Sequence, residues 1–209
     1  MDVLGSEKTL SRLCKGKTPN EIQTLKIADI ACGSGIFLEE AFAYLQDYCI
    51  QWYLDAGQVN HLVEIGTDLY KLTLEEKKAI LCSCIYGIDI DIHAVEVAKF
   101  SLLIKLIEDE TAPSVAAVTP ILPDLCTNIH FGNSLVSDTE LSGMSIPTSQ
   151  LIDIAPFDWA EINNGDQFDA IIGNPPYVNT EGMHALLPKA EVEVYKKKYK
   201  TSHKQFDKY

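Results

Sequence analysis

Four short runs of this sequence combine residue types that suit chemistry better than packing. The sharpest is Asn174-Pro175-Pro176-Tyr177. Two consecutive prolines fix φ and remove two backbone donors, which leaves carbonyl oxygens as acceptors beside a side-chain amide. A rigid segment offering an amide oxygen and a proline carbonyl suits a planar –NH2 group. Its two hydrogens are taken by two acceptors, and the nitrogen is drawn towards a tetrahedral form. The lone pair so released can attack an electrophilic methyl group in line, by positioning and electrostatics without a strong base. Tyr177 adds a face on which a flipped-out base can stack. The structural alternative is a Pro-Pro turn closed by its Asn.

The second run is Asp29-Ile-Ala-Cys-Gly-Ser-Gly35. Glycines at a strand-to-helix turn let backbone N–H groups approach a ligand, and the helix N-terminus favours negative charge. A tight turn without a ligand is the alternative. A nicotinamide site is disfavoured, because Gly33-Ser-Gly35 is followed by Ile, Phe and Leu and lacks the third glycine of the dinucleotide fingerprint. The third run is Tyr86-Gly-Ile-Asp-Ile-Asp91. A carboxylate closing the second strand can accept hydrogen bonds from both hydroxyls of a ribose, the place of Asp89, while Ile90 offers an adenine ring an apolar face. Asp91 then caps the next helix; alternatively both aspartates are helix-start residues. In the fourth run, Gly132-Asn-Ser134, a side chain can meet a cofactor's adenine edge or simply make an Asn-Ser turn.

All four runs sit just past apolar segments that read as strands. Leu25–Ala31, Ile85–Ile90, Asn128–Gly132 and Phe168–Gly173 are the expected strands. A helix follows the first glycine turn, with Phe37, Ala41, Leu45 and Cys49 at i, i+4 steps, and Ala94–Ile107 is a second, densely apolar helix. Residues 55–72 read as a mixed connector. Thr73-Leu-Glu-Glu76 reads as a capping box opening a helix to about Cys84. Residues 111–125 read as a loop, and 136–167 as a segment of weak periodicity arching over the surface. Alternating strands and helices predict a parallel sheet covered on both faces. In such sheets ligands bind outside the strands' carboxyl ends, where strand order reverses.

The 209 residues can bury one core. No apolar run approaches the ~20 residues that span a bilayer, and no signal-peptide h-region opens the chain, so a cytoplasmic protein without a membrane partner is expected. The six cysteines form neither a disulfide framework nor a zinc knuckle, and no metal site is expected. Net charge is −13, poorly suited to gripping nucleic acid, but it is uneven. Residues 189–209 hold seven of the 17 basic residues against three acids, a net +4, so the rest of the chain carries −17. A basic run of this kind is more often a solvated helix face than a phosphate contact.

Read together, IADIACGSGIFLEEA, IYGIDIDIHAVEVAKFSL, NIHFGNSL and FDAIIGNPPYV resemble, in order, the cofactor and catalytic motifs of S-adenosylmethionine-dependent N6-adenine DNA methyltransferases. The likeness is strongest to the large enzymes of type II restriction–modification systems, including fused type IIG enzymes. It covers roughly residues 26–178 and implies an α/β, Rossmann-like class I methyltransferase fold with a doubly wound, mostly parallel sheet. This chain is expected to supply about four of that fold's seven strands. The whole of 1–209 then reads as a partial catalytic domain: cofactor core 24–135, catalytic strand and loop 168–178, basic tail 189–209.

By resemblance, Asp29, Ala31, Cys32, Gly33, Gly35 and Phe37 line the methionine side of S-adenosylmethionine. Asp89 holds its ribose, and Ile90 and Asn133 contact its adenine. Asn174, Pro175, Pro176 and Tyr177 handle the target base. Asn133 stands where many relatives carry Asp. The N-terminal Thr-Pro motif of the family has at best a remnant in Lys17-Thr18-Pro19. The resemblance implies a target-recognition domain outside these residues, so DNA contact is expected through regions beyond them, and an open sheet edge beside Phe168–Gly173 is expected to invite self-association. Two alternatives stand beside this reading: methylation of a translation-factor glutamine or an rRNA guanine, and a fragment that binds cofactor without catalysis.

Overall fold

Short aliphatic strands ending in polar turns form the centre of the molecule. A computed structural model of the chain describes residues 3–116, 118–162, 165, 167–174 and 187–199. The elements in chain order are α1 (Val3–Cys14), α2 (Pro19–Ile22), β1 (Ile27–Asp29), α3 (Ile36–Asp55), β2 (Leu62–Gly66), β3 (Leu69–Leu72), α4 (Leu74–Cys84), β4 (Ile85–Asp89), α5 (Ile92–Ile107), α6 (Ala112–Ala116), β5 (Ile129–Phe131), α7 (Asp138–Leu141), α8 (Thr148–Ile154), β6 (Ala170–Ile172) and α9 (Lys189–Lys198).

Strands β5, β4, β1 and β6 lie side by side in that order and are all parallel. Ile27 stands between Ile85 and Ala170, and Asp29 between Gly87 and Ile172. The chain runs from β1 to β4 and β5 on one side, then crosses to β6 on the other. Strand order therefore reverses at β1, the switch point beside which ligands bind in such sheets. This is the α/β, parallel-sheet architecture that the sequence predicts.

One face of the sheet packs on α3 and α5 through fully buried Ile27, Ile85, Ile129, Leu38, Phe42, Leu45, Ala98 and Leu102. Each large side chain withdrawn this way contributes roughly 1.5–3 kcal/mol. Gly87 makes the close approach possible, since a Cβ there would lie 2.7 Å from Leu38 Cδ1 and 3.2 Å from Cys32 Sγ. The other face, with Ala28, Tyr86 and Ile88, is covered among the described residues by Phe157 and Ile162, with Trp159 and Phe168 alongside.

The strands are shorter than the apolar runs suggest. At the start of β1 the Lys26 N–H donates to Asp169 Oδ2 at 2.8 Å while its carbonyl accepts the Asp169 N–H at 2.8 Å, so a side chain takes one side of the ladder there. The connector 55–72 is corrected more substantially: it holds an antiparallel hairpin of β2 and β3. Four of β2's five residues are exposed, so no buried face imprints a period on the sequence. The loop 111–125 contains the short helix α6, and 136–167 contains α7 and α8.

Thr73 caps α4 through Glu76 N–H, but the Glu76 carboxylate is held by His61 at 2.7 Å and Gln23 at 3.1 Å instead of closing a capping box. The reciprocal box occurs at Thr18 and Glu21, where the Thr-Pro pair starts α2. That start is a sufficient structural reason for Thr18-Pro19.

Candidate functional site

Three loops leave the carboxyl ends of β1, β4 and β6 and meet at the switch point. After β1 the chain must turn sharply into α3. Gly33 and Gly35 do this at φ +53° and +90°, backbone that side chains adopt with strain. Gly35 also lies against α5, where a Cβ would approach Ala98 Cβ to 3.1 Å. The Cys32 N–H donates to Ile88 O at 3.0 Å, holding the turn on β4.

Asp89, at the end of β4, locks two loops together. Its Oδ2 accepts the Gly33 N–H at 2.8 Å and its Oδ1 accepts the Asp91 N–H at 2.9 Å. Each oxygen keeps a second lone pair for another donor. Asp91 caps α5 by accepting the His93 N–H at 2.9 Å, as expected of it. Ile90 beside them is 42% exposed, an apolar surface at the sheet's carboxyl end.

Asp29 is buried. Its Oδ1 accepts the Ala31 N–H at 3.0 Å, while Oδ2 has no hydrogen-bond partner among the described residues. Burial pushes its carboxyl up from the ordinary 3.8 to about 6; the Ala31 bond opposes this and the Asp89 charge adds to it. A carboxylate with an orphaned oxygen beside a second carboxylate is a place for a cation. Burial, with Asp29 and Asp89 adding, also pushes the Cys32 thiol up to about 12. Cys32 therefore stays protonated and supplies shape, not nucleophilicity.

The third loop begins at Gly173, at φ +134°, where a Cβ would fall 2.3 Å from Asp29 Oδ1 and 2.8 Å from Oδ2. Only glycine lets β6 deliver the next residue, Asn174, beside this carboxylate. Asn174 is exposed, and Pro175, Pro176 and Tyr177 lie outside the described residues. The structure thus joins Asp29, Ala31, Cys32, Gly33, Gly35 and Asp89 through direct contacts and brings Asn174 to their edge. Phe37 turns partly into the main core. Asn133 is 1% exposed, with its amide bonded to Glu191 and Tyr195. Sequence reasoning overlooked Gly173 and Glu191. The signal for Gly173 was the glycine directly before the Asn-Pro-Pro run; Glu191 had none.

A family model, described as the Eco57I restriction-modification methylase, matches residues 83–209, from the end of α4 through β4, β5, β6 and the Asn-Pro-Pro-Tyr run. The chain belongs to this family. Two relatives agree with it. The type II restriction enzyme and methyltransferase RM.Eco57I of Escherichia coli is 48% identical over 201 residues, 96% of this chain and 19% of that protein. The putative type II restriction enzyme and methyltransferase RM.MjaORFECS2P of Methanocaldococcus jannaschii is 35% identical over 129 residues, 61% of this chain and 10% of that protein. The chain therefore spans about a fifth or less of the curated relatives it matches. Among the described residues no helix is long and apolar enough to cross a membrane.

Proposed function

We propose that this chain forms the cofactor-binding and catalytic core of a methyltransferase that carries a methyl group from S-adenosylmethionine to adenine N6 in DNA, within a restriction–modification system. One observation supports it most: the backbone of Gly173 lies against the Asp29 carboxylate. The residue proposed to hold the reacting amine and the residue proposed to hold the cofactor's amino-acid end thus stand on adjoining backbone, as transfer between two ligands requires.

The donor set fits the cofactor. The orphaned Oδ2 of Asp29 suits its ammonium, and Asp89 has lone pairs for the ribose hydroxyls. The Gly33–Gly35 turn leaves open space beside Gly33, and Ile90 offers the adenine ring an apolar face. When bound, S-adenosylmethionine supplies an electrophilic methyl group. The Asn174 amide oxygen and the Pro175 carbonyl then accept the hydrogens of the target amine, and Tyr177 stacks on the base. For a protein of the relatives' length we propose that DNA site recognition resides outside these residues.

Two measurements test this. Calorimetry of the chain with S-adenosylmethionine should show one site per molecule. DNA from a methylation-deficient host expressing the complete gene should contain N6-methyldeoxyadenosine on nuclease digestion. Label appearing only in N4-methyldeoxycytidine, in rRNA or in protein glutamine would replace the substrate assignment. A second reading is favoured by the chain's share of its relatives' length: the 209 residues alone bind cofactor and do not turn over.

A further inference from the structure

The resemblance assigns Asn133 to the cofactor's adenine, and its surroundings do not fit that role. Its Nδ2 donates to Glu191 Oε1 at 2.9 Å and lies 3.4 Å from the Tyr195 hydroxyl, two neighbouring acceptors on the same side of the amide. Its Oδ1 accepts the Leu135 N–H at 3.1 Å. The Tyr195 hydroxyl in turn donates to Glu191 Oε1. Asn133 and Glu191 are each 1% exposed. Oδ1 keeps a second lone pair, but at 1% exposure the side chain is closed off from a base lying outside the loop.

The partners come from α9, 58 residues further along the chain. The helix is docked on this same loop at other points. Val192, Val194 and Tyr195 pack with Val136, Leu141 and Ile154. Lys198 Nζ and the Tyr199 hydroxyl donate to Leu135 O at 3.1 and 2.9 Å, and Lys198 pairs with Glu140 at 2.6 Å. Glu191 stands in the first turn of α9 and accepts from both other members of the network. In a buried setting such a shared acceptor is costly to remove, because it strands two donors at once.

We propose that Asn133, Glu191 and Tyr195 form a tether that fastens α9 to the loop after β5, with Glu191 as a positioning residue for that loop and Asn133 not in contact with the cofactor base. The positioning half rests on the reading that this loop borders the cofactor.

Hydrogen exchange at the amides of 189–199, measured without ligand, tests the tether. Asn133→Ala and Glu191→Ala should each raise exchange there by at least about tenfold, since each cuts more than one bond of the buried network. The double variant should exceed neither single one appreciably, since both cut the same connection. Glu191→Gln, whose amide oxygen can accept both bonds, should stay near the wild type. Tyr195→Phe keeps the ring in its cluster and should give a smaller rise, with circular dichroism confirming the fold of each variant.

Calorimetry with S-adenosylhomocysteine and its hypoxanthine analogue tests positioning. Glu191→Ala should weaken both by the same factor, and Asn133→Ala should keep the wild type's preference between them. Unchanged exchange in Glu191→Ala, unchanged affinity for both ligands in that variant, or a base preference lost in Asn133→Ala alone would overturn the proposal. A wild-type chain that binds neither ligand counts against the proposed function, while the exchange result still decides the tether.

Discussion

Asp29 meets two demands that conflict. Burial raises its carboxyl from 3.8 to about 6, so the folded protein holds that proton more tightly than the unfolded chain does. The contribution of Asp29 to stability therefore improves as pH falls from about 6 towards 3.8 and is unfavourable at neutral pH. Asp29→Asn keeps an oxygen for the Ala31 N–H and removes the buried charge. It should raise stability at pH 7.5 by up to about 2 kcal/mol in urea titrations while sharply weakening S-adenosylmethionine binding. A variant that is both less stable at pH 7.5 and unimpaired in binding would remove Asp29 from the site. Asp89→Ala should weaken cofactor binding by a few kcal/mol at most, through lost charge-assisted hydrogen bonds. Asp91→Ala should cost about 1 kcal/mol of stability as a lost helix cap and do less to binding; the reverse order in calorimetry would move the ribose contact to Asp91. In the complete enzyme, Asn174→Ala should leave cofactor affinity nearly unchanged and lower methyl transfer by orders of magnitude, if, as proposed, its amide acts on the nitrogen as that becomes tetrahedral. Near-normal turnover would end that assignment.

Among the elements, the β2–β3 hairpin shows how an exposed addition is fastened to a sheet it does not join. Lys71 on β3 and Lys77 on α4 both pair with Glu110, at 2.9 and 2.7 Å, and all three side chains are at least nine-tenths buried. Burial alone would raise the Glu110 carboxyl. Hydrogen bonds from Lys77, Ser114 and Lys71 outweigh it and hold the group at about 2 instead of 4.5. Its contribution to stability is thus present above pH 4.5 and lost as pH falls towards 2, the opposite sense to Asp29. Glu110→Gln leaves two buried ammonium groups without a counter-charge and should destabilise by about 3 kcal/mol at pH 7. The variant should also lose part of the wild type's acid sensitivity below pH 4.5. Thermal melts from pH 7 to 3 check both; a parallel shift at every pH would show that the pair contributes packing alone.

For the whole molecule, charge opposes DNA binding by this chain alone. The −17 carried before residue 189 opposes a polyanion, and the +4 of 189–209 is a weak, salt-sensitive counterweight. We expect the 209-residue chain by itself to show no sequence-specific DNA binding at physiological salt and no useful rate of DNA methylation. Flipping a base costs a few kcal/mol that so few phosphate contacts do not offset. Gel-shift titrations at two salt concentrations, with a tritiated-methyl assay on mixed-sequence DNA, test this. Sequence-dependent binding that survives physiological salt would show a recognition surface within the chain. Strand β6 ends the four-stranded sheet among the described residues, with Ile171 62% exposed on its face. Self-association through the edge expected beside Phe168–Gly173 is a proposal for light scattering to examine.

Much of the site was legible before any fold was known, because its signals are local. A strand that ends in Gly-Ser-Gly must turn into a helix, an aspartate two residues past another caps the next helix, and alternating apolar segments stack into a parallel sheet. The family followed from the order of such runs along the chain. What only the tertiary structure decided depends on residues far apart in sequence. The hairpin was hidden because its outer strand is exposed and carries no burial pattern. Gly173 looked like an ordinary strand end until its backbone came against Asp29. The partners of the Asn133 amide, Glu191 foremost, are brought to it by α9 from 58 residues away. A residue's type sets which bonds it can make, and long-range packing decides which partner occupies them first.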